Sequence, residues 1–181
     1  MKGIVFSEFN EMVEANYSPD IADKIIVESD LPSGGAYTTV GTYDHEELLT
    51  LARRLSRETG TEAAIVIRRL GRHLARRFTE LYPGFFDGIT STFDFLDTIE
   101  RHVHVEVRKL YPDAELPRFL TERTDENSMA MHYQSRRPFA DLAQGLIEGC
   151  AEHFGDRLEI TRTDSAADDL YKSSFNLKRV A

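Results

Sequence analysis

The feature that most constrains this chain is a change of apolar period at Pro117. Before it, apolar residues recur every three or four positions, as along one face of an α-helix. Beyond it, several segments alternate apolar and polar, as strands covering a core do. The two periods together require a mixed fold. Residues 4–16 carry Val5, Phe9, Met12 and Val13 at helical spacing. Ser18-Pro19 offers an N-cap and an N1 proline for a second helix, and Leu31-Pro32-Ser33-Gly34-Gly35 reads as a loop. Asp44 is placed to cap a third helix, with Glu47 at the reciprocal capping position, and that helix runs to Thr59-Gly60. Thr61 is placed to cap a fourth, with Ile65, Ile67, Leu70, Leu74, Phe78 and Leu81 on its apolar face, broken at Pro83-Gly84. One long helix is expected over about 92–110, ending at Tyr111-Pro112.

Past Pro117, residues 118–124 and 128–137 alternate like strands, 139–154 return to helical spacing, and 158–161 and 170–179 read as two further strands. Four strands joined partly by short turns favour an antiparallel sheet. The expected fold is α+β in one domain over 1–181: a helical subdomain over about 1–60, then a subdomain over about 61–181 that carries the four-stranded antiparallel sheet and further helices. At 181 residues a single domain is the natural size. The apolar runs are too short to span a bilayer, and the start is interrupted by Ser7, Glu8 and Asn10, unlike a signal peptide. The expectation is a cytoplasmic protein. A formal net charge of −9 argues against nucleic-acid binding, and the cluster Arg68, Arg69, Arg72, Arg76, Arg77 reads as a solvated helix face.

Two segments carry chemistry. In Tyr133-Gln134-Ser135-Arg136-Arg137-Pro138, an extended backbone puts Tyr133, Ser135 and Arg137 on one face, and Pro138 favours extended geometry at Arg137. A phenol, a hydroxyl and a guanidinium fork suit one or two carboxylates. Arg136 has the wrong parity and should point elsewhere. In the long helix, Leu96, Ile99, Val103, Val107 and Leu110 form an apolar stripe with His104 at its border. His102 lies about 200° around the helix from His104, so the two cannot share one metal. His104 reads either as a satisfied core histidine or as a ligand to a buried cofactor.

The run from His104 to Tyr111-Pro112, then Leu116-Pro117, then Tyr133-x-Ser135-x-Arg137 resembles the H-NOX (haem nitric oxide/oxygen binding) family. That family includes bacterial stand-alone sensors and the haem domain of soluble guanylate cyclase. The similarity takes in Met1-Lys2-Gly3, Gly71 through Pro83 and Gly145-Leu146-Ile147-Glu148-Gly149. The resemblance implies haem b, ferrous iron protoporphyrin IX, as cofactor, with His104 as the protein ligand to iron. It implies that Tyr133, Ser135 and Arg137 hold the haem propionates and that Pro117 presses on the porphyrin. It also implies a distal pocket of Val5, Phe9, Leu74, Phe78 and Leu142.

In oxygen-binding members a tyrosine donates a hydrogen bond to bound oxygen; the matching position is Leu142. Loss of such a bond is worth roughly 1–3 kcal/mol. The expected function is therefore a nitric oxide sensor, not an enzyme: nitric oxide weakens or breaks the bond from iron to His104, and the signal passes in trans to a histidine kinase or a cyclic-di-GMP enzyme. An oxygen sensor of the same fold and a haem-free adaptor are the alternatives. His73 should turn about 100° away from the pocket residue Leu74. Asp94 and Asp97 are expected to face solvent, and Glu148 to sit at the edge of its helix. No zinc is expected, since Cys150 is the single cysteine, and Cys150 reads as a small core residue.

Overall fold

The structure, a computed structural model, describes residues 1–167 and 169–180. Seven α-helices and four strands follow in the order α1 Gly3–Asn16, α2 Pro19–Val27, α3 His45–Thr59, α4 Ala63–Leu81, α5 Thr92–Thr98, α6 His104–Leu110, β1 Arg118–Asp125, β2 Ser128–Ser135, α7 Ala140–Phe154, β3 Arg157–Ala167 and β4 Leu170–Val180. The sheet has the order β1-β2-β4-β3 and is antiparallel throughout. The α+β architecture is as expected. No described helix is long and apolar enough to cross a membrane.

The local signals act largely as read. The Ser18 hydroxyl accepts the Ile21 N–H at 3.2 Å, with Pro19 in the first turn of α2. Asp44 accepts the Glu46 N–H at 3.0 Å to open α3, and Gly60, at φ 70°, closes it. Glu47, however, does not complete a capping box. It is buried and accepts hydrogen bonds from the Ser33 and Tyr37 hydroxyls, the latter at 2.9 Å, so it anchors the 31–43 loop instead. Thr61 does not cap α4 either: its N–H donates to the Thr59 hydroxyl at 3.3 Å, and Glu62 holds the N-cap position without a side-chain bond. Ile65 lies outside the apolar face, 42% exposed.

The expected 92–110 helix is interrupted. Between α5 and α6, Ile99–Val103 form a π turn in which the His104 N–H donates to the Ile99 carbonyl, five residues back. One extra residue in a turn rotates everything after it by about 100°. The apolar stripe therefore comes apart. Leu96 stays in the core at 2% exposed, Leu110 is 63% exposed, and His104 becomes the buried residue of α6. Strand β2 stops at Ser135, where the hydroxyl accepts the Arg137 N–H at 3.0 Å. Arg137 is thus reached through a bend rather than by strand alternation. Strand β3 is eleven residues long, because Arg157 to Ala167 pair throughout with β4, although the polar run after Thr161 gives no alternation to read.

Two apolar cores lie side by side. The first gathers Phe6, Phe9, Leu48, Leu51, Leu55, Leu70, Leu74 and Leu142 from α1, α3, α4 and α7. The second gathers Phe93, Leu96, Met129, Met131, Tyr133, Ile147, Phe175 and Leu177 from α5, α7 and the sheet. Helices α4 and α7 contribute to both, and they cross closely. A Cβ on Gly71 would stand 2.3 Å from the Leu142 carbonyl oxygen, and one on Gly145 would stand 2.0 Å from that of Arg68. Only glycine permits this approach. The basic face of α4 is tied down at the crossing: Arg68 grips Glu148, its Nε at 2.9 Å, and Arg72 pairs with Glu152.

Candidate functional site

The π turn delivers His104 to the interior, 8% exposed. Its Nδ1 lies 2.8 Å from Glu100 Oε1, one turn back, and the same oxygen accepts the Phe119 N–H of β1 at 2.9 Å. A carboxylate acceptor fixes the proton on Nδ1 and leaves Nε2 with its lone pair, the form of imidazole that binds a metal. Burial pushes the His104 pKa below its ordinary value, against the pull of Glu100. The ring is therefore neutral at pH 7. The Phe119 ring stands 5.9 Å from His104 and 5.6 Å from Tyr133, so it touches both parts of the expected site.

Asp94 and Asp97 belong to the same helix face as Glu100 and do not simply face solvent. The Thr121 hydroxyl donates to Asp97 at 2.6 Å, and Arg123 donates to Asp97 at 2.8 Å and to Asp94 at 2.7 Å. Three acids at three-residue spacing thus hold residues 119, 121 and 123 of the edge strand β1. Pro117 lies directly before that strand, half-buried.

Tyr133 is buried in the second core, and burial raises its pKa, so it remains a neutral phenol. Its hydroxyl donates to the Arg137 carbonyl at 3.1 Å. Ser135 accepts from the Arg137 amide, so all three residues meet at one bend. The Arg137 guanidinium holds the Glu115 carboxylate at 2.5 Å, while Arg136 is exposed. Beside them is an open groove of about 320 Å³ lined by Glu115, Leu116, Ser135, Arg136, Arg137 and Leu170. A guanidinium already closed on a carboxylate fits the chemistry that a propionate needs.

Phe9, Leu74 and Leu142 lie together in the first core, with Val5 and Phe78 packed against it. On α7, Leu142 belongs to this core and its neighbour Ala143 to the second. The apolar set and Tyr133 therefore stand on either side of the boundary between the cores. His73 points away: its Nε2 lies 2.7 Å from Glu8, which also accepts Arg77 Nε at 2.9 Å. Cys150 is buried and its thiol is pushed up to about 12.

The sequence reading overlooked Glu100 and Glu115. A carboxylate four residues before a helical histidine is a usable signal. An acid in an exposed loop, as Glu115 is, carries none.

Comparison with known proteins points one way. A family model described as haem-NO-binding matches residues 2–162. The unliganded Fe(II) H-NOX protein from K. algicida is similar, at 36% identity and TM-score 0.91 over 100% of this chain and 97% of that one. Its A71G mutant gives 37% identity, the same TM-score and the same coverage. An oxygen-binding H-NOX domain related to soluble guanylate cyclases, in its oxygen complex, shares the fold at TM-score 0.84 and 22% identity, over 100% of this chain and 96% of that one. No curated protein matches. With a buried histidine, a carboxylate-binding bend and the family model meeting on one chain, the protein belongs to the haem-NO-binding family, whose members are haem-binding gas sensors rather than enzymes.

Proposed function

We propose that the chain is a nitric oxide sensor that excludes oxygen. The observation that carries this reading is the first core around Leu142. Phe9, Leu74 and Leu142 are buried there together, Val5 and Phe78 pack against them, and the nearby imidazole of His73 is committed to Glu8. An oxygen-binding relative shares the fold, so the choice of gas rests on side chains rather than on architecture. Bound oxygen carries partial negative charge and gains from a hydrogen-bond donor; nitric oxide does not need one.

In this reading ferrous haem b would be held by these residues and would supply the iron that takes the gas. His104 is the iron's protein ligand through Nε2. Tyr133, Ser135 and Arg137 would hold the propionates, Arg137 through the guanidinium that meets Glu115 in the structure. Pro117, at the entry to β1, would bear on the porphyrin. His104, were it released from the iron, would free α6 to move relative to the helical part of about 1–60, biasing a two-state element. The changed surface is then read in trans by a histidine kinase or a cyclic-di-GMP enzyme.

The test is the absorption spectrum of the haem-loaded, reduced chain with nitric oxide and in air. The expected result is a ready nitric oxide complex and no stable oxygen complex. A stable oxygen spectrum would overturn the choice of gas. No Soret band after reconstitution would instead favour a haem-free adaptor.

A further inference from the structure

We propose that Glu100 is a positioning residue with two tasks: it sets the strength of the bond that His104 makes to iron, and it joins His104 to the edge strand β1. The inference rests on the reading of His104 as iron ligand. It goes beyond that reading by assigning a role to a side chain outside the ligand set.

The geometry is specific. A single oxygen, Glu100 Oε1, accepts from His104 Nδ1 at 2.8 Å and from the Phe119 N–H at 2.9 Å. Glu100 reaches both because it sits in the π turn, which turns His104 inward while keeping the acid on the face towards β1. A carboxylate on Nδ1 makes an imidazole a better electron donor through its other nitrogen. The same oxygen is also a shared joint. When His104 is displaced, its share of the acceptor is released, and the Phe119 amide is left as the remaining partner of Oε1. Asp94 and Asp97 hold the rest of β1 through Thr121 and Arg123, and neither bonds His104. The strand therefore stays attached to α5 while its first residues respond to His104. Those residues follow directly on Pro117.

The test uses the whole haem-loaded chain, reduced and without gas, in three variants: Glu100→Gln, Glu100→Ala and Asp97→Asn. Resonance Raman of the iron–histidine stretch reads the first task. The stretch should fall in frequency for Glu100→Ala and fall less for Glu100→Gln, whose carbonyl still accepts a neutral hydrogen bond. It should stay in place for Asp97→Asn, which weakens the same helix–strand contact without touching His104. Transfer of haem to apomyoglobin should speed up by roughly 10–100-fold in Glu100→Ala. Hydrogen exchange at the Phe119 amide, measured also in the haem-free chain, reads the second task and should quicken in both Glu100 variants.

An unmoved stretch in Glu100→Ala, or an equal shift in Asp97→Asn, would overturn the proposal. Glu100→Gln preserves size and shape, so the comparison survives should the alanine variant fold poorly. None of these measurements uses nitric oxide. A stable oxygen complex with the Raman shift intact would sink the choice of gas alone, and a flat Raman result with normal nitric oxide binding would sink the role of Glu100 alone.

Discussion

At the scale of single residues, burial decides which chemistry each side chain keeps. His104 and Cys150 are both buried and both lose their charged forms, yet only His104 has a partner that orients it. Cys150, its thiol pushed up to about 12, stays protonated at any ordinary pH and serves as core. Leu142 works by what it lacks. Placing a phenol there, in Leu142→Tyr, should stabilise an oxygen complex by about 1–3 kcal/mol, read as an oxygen spectrum of the reduced protein in air that the unmodified chain lacks. A Leu142→Tyr chain with no oxygen spectrum would mean that Leu142 does not face the bound gas. The sequence offers candidate cofactor-binding side chains by type and order along the chain, whereas Glu100 and Glu115 act through contacts that only folding creates.

At the scale of elements, the caps at Ser18 and Asp44 and the stop at Gly60 were legible, whereas the roles of Glu47 and Thr61 and the phase of the His104 helix were not. Ser18, Pro19, Asp44 and Gly60 each act within a few residues of themselves, so local chemistry suffices. The π turn at Ile99–Val103 contains neither glycine nor proline. Nothing local announces it: its Glu100 is held by Phe119, and Asp97 and Asp94 just before it by Thr121 and Arg123, all about 20 or more residues away. Likewise, the bend at Arg137 depends on the Ser135 hydroxyl overriding strand alternation. The π turn makes a sharp prediction. Inserting one alanine after Arg101 would add a further residue to the turn and rotate α6 by about 100°, carrying His104 out of the core. The lengthened chain should fold with similar helix content by circular dichroism yet fail to develop a Soret band on haem reconstitution. Normal haem uptake would show that the register of α6 is not set by the turn.

At the scale of the whole molecule, two cores share two helices. Helix α4 sends Leu70 and Leu74 into the first core and Ala75 into the second, and α7 divides Leu142 and Ile147 in the same way. With Gly71 and Gly145 letting these helices touch backbone to backbone, neither core can lose its packing while the other keeps it. The haem-free chain should therefore unfold in one transition, with far-ultraviolet circular dichroism and calorimetry agreeing on the midpoint. Two resolved transitions would mean that the cores are independent.

The three acids along the His104 helix act as mismatched rulers. A helix advances about 4.5 Å over three residues, while a strand advances about 6.6 Å over two. Asp94, Asp97 and Glu100 therefore cannot stay level with residues 123, 121 and 119, and the side chains absorb the difference. Glu100 meets main chain, Asp97 meets a short hydroxyl, and Asp94 meets the long arm of Arg123. The linkage is stiff at the histidine end and compliant at the far end. It works as a vernier in which a small slip of the helix is read first, and most finely, where β1 begins.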